Sequence, residues 1–206
     1  CIGGTNDVID FWSNPGYTLS RLPMGGTTSC LATIVLPKSS SQPKTLQLFD
    51  TLKEVIGRTD TGGAVLEGIN AEGPLVNDFG GLPESERDMT ETDFELLIDS
   101  IPSIKIMTIS PHIEARHNYK RLKLLIKKGI KPSLGHDKEA SESEILDALR
   151  LSKEPMHITH LFNVCSFHHR LPGLVNIGLA SVYPNLPEYT DIILPTVEVI
   201  GDLAHV

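Results

Sequence analysis

The chain has 206 residues, 40% of them hydrophobic and 21% charged, which is enough apolar material for one sizeable core and excludes a disordered or fibrous composition. Lys and Arg number 18 against 26 Asp and Glu, and the resulting net charge of −8 opposes a nucleic-acid partner.

A first strand is expected near residues 1 to 10. SCLATIVL (29 to 36) predicts the next, a short apolar run rich in β-branched residues, and SSSQPK (39 to 44) is a loop. Leu48, Phe49, Leu52, Val55 and Ile56 then recur at helical spacing. AVLEGINAEGP (64 to 74) reads as a strand, followed by a helix on Phe94, Leu97 and Ile98 that Thr90 opens, with Asp93 as capping-box partner. KIMTISP (105 to 111) is another strand, and the helix on Leu122, Leu125 and Ile126 stops at Gly129 just after Lys127 and Lys128. IKPSLGH (130 to 136) leads to a helix on Ile145, Leu146 and Leu149, with Ser141 and Glu144 as its capping box. PMHITHLFN (155 to 163) and VEVIGDLAHV (197 to 206) complete the strands. Strands alternating with helices predict βαβ units and a parallel sheet, and no linker divides residues 1 to 206 into more than one domain. Cys1, Cys30 and Cys165 are odd in number, far apart and without metal spacing, so they read as free thiols. No apolar run reaches the roughly 18 to 20 residues that cross a bilayer, and no basic-then-apolar leader opens the chain. The expectation is a cytoplasmic protein with no membrane partner.

An open doubly wound sheet would need a glycine-rich turn after its first strand, whereas GGTTS (25 to 29) precedes a strand. A barrel is favoured because Glu72, His112, His136, His160 and His205 all fall at or near the C-terminal ends of different strands, which form one face there. Glu72, His136 and His160 supply one carboxylate and two imidazoles, a common set for a divalent metal that leaves a position for water. Bound metal makes such a water nucleophilic near neutral pH.

EGP (72 to 74), SLGH (133 to 136), THLFN (159 to 163), HHRLPG (168 to 173) and GDLAH (201 to 205) occur in the order found in N-acetylglucosamine-6-phosphate deacetylases of the amidohydrolase superfamily, and GTTSCLATIV (26 to 35) is similar to their second-strand region. The resemblance implies an α/β fold, a TIM-like (β/α)8 barrel of the amidohydrolase type. It is incomplete in this chain, with about seven strands; the eighth strand and an accessory β-sandwich are missing. It further implies hydrolysis of N-acetylglucosamine 6-phosphate to glucosamine 6-phosphate and acetate, by a homodimer that uses one divalent metal ion, zinc, held by Glu72, His136 and His160. Asn163 and the Val164 backbone would lie beside the amino-sugar phosphate. Arg170, helped by His169, would grip the phosphate, for which a guanidinium fork is suited. His205 would touch the sugar and the reacting carbonyl.

The chain departs from the pattern at two positions on the expected active face: Asn70 stands where histidine is common, and Ser110-Pro111-His112 replaces an alanine-proline-glutamate. No histidine precedes His112, so the His-x-His-Gly pair of a second metal is lacking. The catalytic general base of the similar enzymes, an aspartate on the eighth strand, would follow Val206. Asp202 matches a seventh-strand aspartate and is read as structural or as an outer neighbour of the site. The chain by itself is accordingly expected not to hydrolyse the substrate even with metal added. Two other readings stand beside this one: an amidohydrolase acting on a different N-acyl or cyclic amide, and a non-catalytic relative that binds sugar phosphates. His117, His157 and His168 have only their residue type to recommend them.

Overall fold

In the computed structural model the described residues are 14 to 36, 43 to 60, 62 to 82, 87 to 180 and 186 to 201, with Phe11, Glu84, Val182 and Pro184. Six strands lie in chain order in one parallel sheet: β1 (Ser29–Val35), β2 (Val65–Glu72), β3 (Ile104–Ile109), β4 (Lys131–Leu134), β5 (His157–Ile158) and β6 (Thr196–Val197). Helices connect them: α2 (Pro43–Lys53) joins β1 to β2, α3 (Glu91–Ser100) β2 to β3, α4 (Pro111–Ala115) and α5 (Lys120–Lys127) β3 to β4, α6 (Glu142–Leu149) β4 to β5, and α7 (Leu174–Leu179) β5 to β6. An additional helix, α1 (Pro15–Arg21), precedes β1. The sheet curls into a half-barrel, the expected partial TIM-like α/β architecture. The strand expected near residues 1 to 10 and the stretch 202 to 206, which includes Asp202 and His205, lie outside the described residues.

Helix periodicity and caps behave as the sequence predicts. Phe94, Leu97 and Ile98 of α3, Leu122 and Leu125 of α5, and Ile145, Leu146 and Leu149 of α6 are buried in one core with Ile69, Ala71, Met107 and Ile109 of the sheet. Thr90 accepts from Asp93 N–H, and Ser141 and Glu144 form a reciprocal capping box that satisfies donors at the start of α6. Gly129 adopts φ +73 just past α5, the left-handed conformation that ends a helix at least cost in glycine.

Two strands are shorter than the apolar runs predict. β4 and β5 stop at Leu134 and Ile158, and His136 and His160 just beyond them have φ of +51 and +49. That left-handed turn breaks the pleat, so pairing cannot continue. The apolar pattern registers burial and carries no trace of the turn.

The register decides which residues meet. Val35 pairs with Glu72, Glu72 with Thr108, Thr108 with Ser133, Ser133 with His157 and His157 with Thr196, so one row crosses all six strands. Paired residues of neighbouring strands share a face of the sheet, and from Glu72 onward every member of this row is polar. Behind it Thr159 Oγ1 pairs with Thr108 Oγ1 at 2.9 Å and with Ser133 Oγ at 2.5 Å, all three side chains buried. These hydroxyls satisfy one another, which permits a polar layer inside the sheet.

Candidate metal centre

Glu72 ends β2, His136 lies two residues past β4 and His160 two past β5. His136 Nε2 and His160 Nε2 approach the same oxygen, Glu72 Oε1, at 2.9 and 3.0 Å. Glu72 and His136 are each 3% exposed, and the His160 side chain 12%. Ligand atoms of all three lie within 4.8 Å of one another, so the group could hold a metal ion.

The opposite edges of both rings explain why the cluster fits a cation. His136 Nδ1 faces the carbonyl oxygen of Asp78 at 3.0 Å, and His160 Nδ1 faces Glu198 Oε1 at 2.8 Å. Both partners are acceptors, so both Nδ1 atoms carry the proton. A neutral ring then presents an Nε2 lone pair to a carboxylate oxygen. Three such acceptors converge stably only around positive charge, supplied by additional protons on the rings or by a metal ion. Holding the outer nitrogen by an acceptor while the inner one is free to ligate is the usual support of a histidine ligand.

The backbone agrees. A histidine with positive φ is uncommon, and such conformations, which cost of order 1 to 3 kcal/mol, concentrate at functional sites. Here two of the three grouped residues have it. Asp78 N–H donates to His136 O at 2.8 Å and so closes the turn that aims the ring.

Burial alone would raise the Glu72 carboxyl, but the hydrogen bonds from His136 and His160 outweigh it and bring it down to about 2. His160 is raised to about 9, first by its bond to Glu198 and then by Glu72. Its ordinary value is 6.5, so the stability this ring lends the metal-free fold is fully present below that pH and lost as pH rises through about 9. Metal-free protein should therefore melt at lower temperature as pH rises across this window. Zinc binds the deprotonated ring and should reverse the trend. Thermal melts with a chelator and with added zinc check this; a metal-free midpoint that climbs between those pH values would contradict the ion pairs.

The other candidate residues are less gathered. Asn163 donates its N–H to His160 O at 2.7 Å, which places the Asn163–Val164 turn directly against the cluster. Val164 O accepts from Asp137 N–H at 2.8 Å and ties that turn to the one after His136. His169 and Arg170 are exposed on the loop after Cys165. His168 shapes that loop, because its Nδ1 accepts from the N–H groups of Arg170 and Leu171 at 3.2 and 3.1 Å.

The two departures have different fates. His112 turns toward α6, with Nδ1 at 3.1 Å from Glu144 Oε1 and Nε2 accepting from Arg116 at 2.6 Å, so it contacts the carboxylate of the capping box. Asn70 stands beside its register partner Thr33, with Nδ2 at 3.4 Å from Thr33 Oγ1 and a buried Oδ1 that has no hydrogen-bond partner. Sequence reasoning missed Glu198, Asp78 and Asp137. Glu198 lies on an exposed edge in an unremarkable apolar run, and Asp78 acts through its main chain, so neither leaves a motif.

Among solved structures the chain is similar to the N-acetylglucosamine-6-phosphate deacetylase of Thermotoga maritima, determined at 2.5 Å resolution, with a TM-score of 0.64 and 25% sequence identity. The match covers 95% of this chain and 48% of that one, so the chain spans about half the length of the deacetylase. No family model and no curated protein matches the sequence. No helix among the described residues is long and apolar enough to cross a membrane. The fold is a partial TIM-like barrel similar to that of the deacetylase, and it carries a Glu-His-His group that could hold a metal ion.

Proposed function

We propose that the chain supplies the metal-binding part of an amide hydrolase of the N-acetylglucosamine-6-phosphate deacetylase family, releasing acetate from an N-acetylated amino-sugar phosphate. The observation that carries the reading is the convergence of Glu72 Oε1, His136 Nε2 and His160 Nε2 at strand ends of a fold shared with such a deacetylase. Carboxylate and imidazole donors suit zinc, and a divalent cation held there supplies Lewis acidity that lowers the pKa of a bound water toward 7.

The chain's own residues perform the remaining tasks. Glu72, His136 and His160 would hold the cation, and the backbone bond from Asn163 to His160, which sets the Asn163–Val164 turn against the cluster, supports a role for that turn beside the sugar. Arg170 is exposed and free to meet a dianionic phosphate with two parallel donors. Proton transfer to the departing amine belongs to a carboxylate from the strand that completes the barrel, as in the similar enzymes. An amidohydrolase acting on another N-acyl or cyclic amide is the second reading, favoured by Asn70, whose buried unpaired Oδ1 lies on the strand of Glu72 and suits a different donor.

Acetate release from N-acetylglucosamine 6-phosphate by the zinc-loaded protein carrying the strand that completes the barrel, assayed beside the 206-residue chain for which no turnover is expected, tests the first reading, with unphosphorylated N-acetylglucosamine as the comparison. Arg170→Ala should raise KM or Kd for the phosphorylated sugar about 10- to 150-fold, the loss of one charge-assisted hydrogen bond, and barely change weak binding of the other sugar. Equal effects on both sugars would remove the phosphate role.

A further inference from the structure

We propose that Glu198 is a positioning residue of the metal centre, holding His160 by its backbone and by its ring so that Nε2 faces Glu72. The inference rests on the metal-binding reading of Glu72, His136 and His160.

Glu198 lies immediately after β6 and grips His160 from both sides. Its backbone N–H donates to Ile158 O at 3.2 Å, two residues before His160, and its carbonyl accepts from Leu161 N–H at 2.8 Å, one residue after. The β6 backbone thus spans the left-handed turn that presents the histidine. Within the span, Glu198 Oε1 accepts twice from His160, from the backbone N–H at 3.3 Å and from the ring Nδ1 at 2.8 Å. One oxygen therefore secures both the φ of +49 and the ring. The carboxylate is itself aimed: Oε2 faces His157 Nε2 at 3.5 Å, and His157 Nδ1 is 2.8 Å from Thr196 Oγ1. Thr196, His157 and Glu198 form a brace along β5 and β6 that ends on His160.

The two histidines differ in a way that makes this testable. His136 Nδ1 is held by a main-chain carbonyl, which no substitution removes. His160 Nδ1 is held by a side chain. Without Glu198 the neutral His160 ring can place its proton on Nε2 and donate it to Glu72, and that tautomer has no lone pair for a metal ion. Outer partners of histidine ligands typically contribute 10- to 100-fold to metal affinity.

The test compares wild type, Glu198→Ala and Glu198→Gln by competition for Zn²⁺ against a chromophoric chelator, and by the ¹⁵N shifts of His160 in the metal-free proteins at a pH above its pKa of about 9, where the ring is neutral. Glu198→Ala should weaken zinc about 10- to 100-fold and spread the His160 ring over both tautomers, whereas Glu198→Gln, which keeps one acceptor oxygen, should recover part of both losses. A folded Glu198→Ala protein with the wild-type zinc Kd and the wild-type His160 shifts would overturn the inference and leave the metal reading intact. If Glu198→Ala does not fold, Glu198→Gln decides: full wild-type affinity and shifts overturn the inference, and intermediate values support it. Failure of the wild-type protein to bind zinc would overturn the metal reading and this inference together.

Discussion

Replacing either His136 or His160 by alanine is expected to abolish the proposed zinc binding. Among the described residues the two rings and Glu72 are the group that could hold a metal ion, and each ring has its outer nitrogen committed to an acceptor, so neither outer nitrogen is placed to substitute. Structural zinc sites with four ligands bind with about 10 to 16 kcal/mol, so one ligand is worth about 3 kcal/mol, or roughly 100-fold in Kd. Removing a ring also leaves Glu72 with half of the hydrogen bonding that holds its carboxyl low, against the burial that pushes it up. Metal analysis of the purified variants after dialysis against a weak chelator is the measurement. Undiminished zinc in both would withdraw the assignment; loss in both, with wild-type zinc retained by a His168→Ala control, would support it.

The largest effect on stability is expected at a pair away from the cluster. Arg121 of α5 is 1% exposed, its Nε donates to Glu114 Oε1 at 2.7 Å, and the second Glu114 oxygen accepts from Leu122 N–H at 3.0 Å. Arg121 Nη1 also donates to Met89 O at 2.8 Å, which links the loop after β2 to the helices after β3, while Nη2 is buried without a partner. Glu114→Ala leaves a guanidinium desolvated and unpaired, and breaking such a pair costs about 3 to 5 kcal/mol. For a chain of this size each kcal/mol moves the melting midpoint by about 2 to 4 °C, so a drop of roughly 6 to 20 °C should appear in a calorimetric scan. The double variant Glu114→Leu/Arg121→Met, which removes both charges, should lose much less. A double variant as unstable as Glu114→Ala would mean that packing, and not the unpaired charge, sets the cost.

How far these features could be read in advance differs by element. The helices α3, α5 and α6 follow from apolar spacing and caps because both are local, written within a few residues of where they act. α4 and α7, of five and six residues, escape notice because a single turn gives periodicity too little length to register. Glu72, His136 and His160 were legible because a polar residue at the mouth of an apolar strand is conspicuous, and because a parallel barrel gathers its strand ends on one face. The sequence by itself therefore determined the alternating α/β architecture and the three residues of the cluster. Only the tertiary structure decided which nitrogen of each ring faces Glu72, that both histidines take left-handed backbones, that His112 turns away to face Glu144 of α6, and that Glu198 braces His160 from 38 residues further on. The physical reason is common to all four. Tautomer, ring direction and backbone strain are fixed by acceptors that lie far along the chain and are brought alongside only by folding, such as Asp78, Glu144 and Glu198, and that proximity is invisible along a single segment.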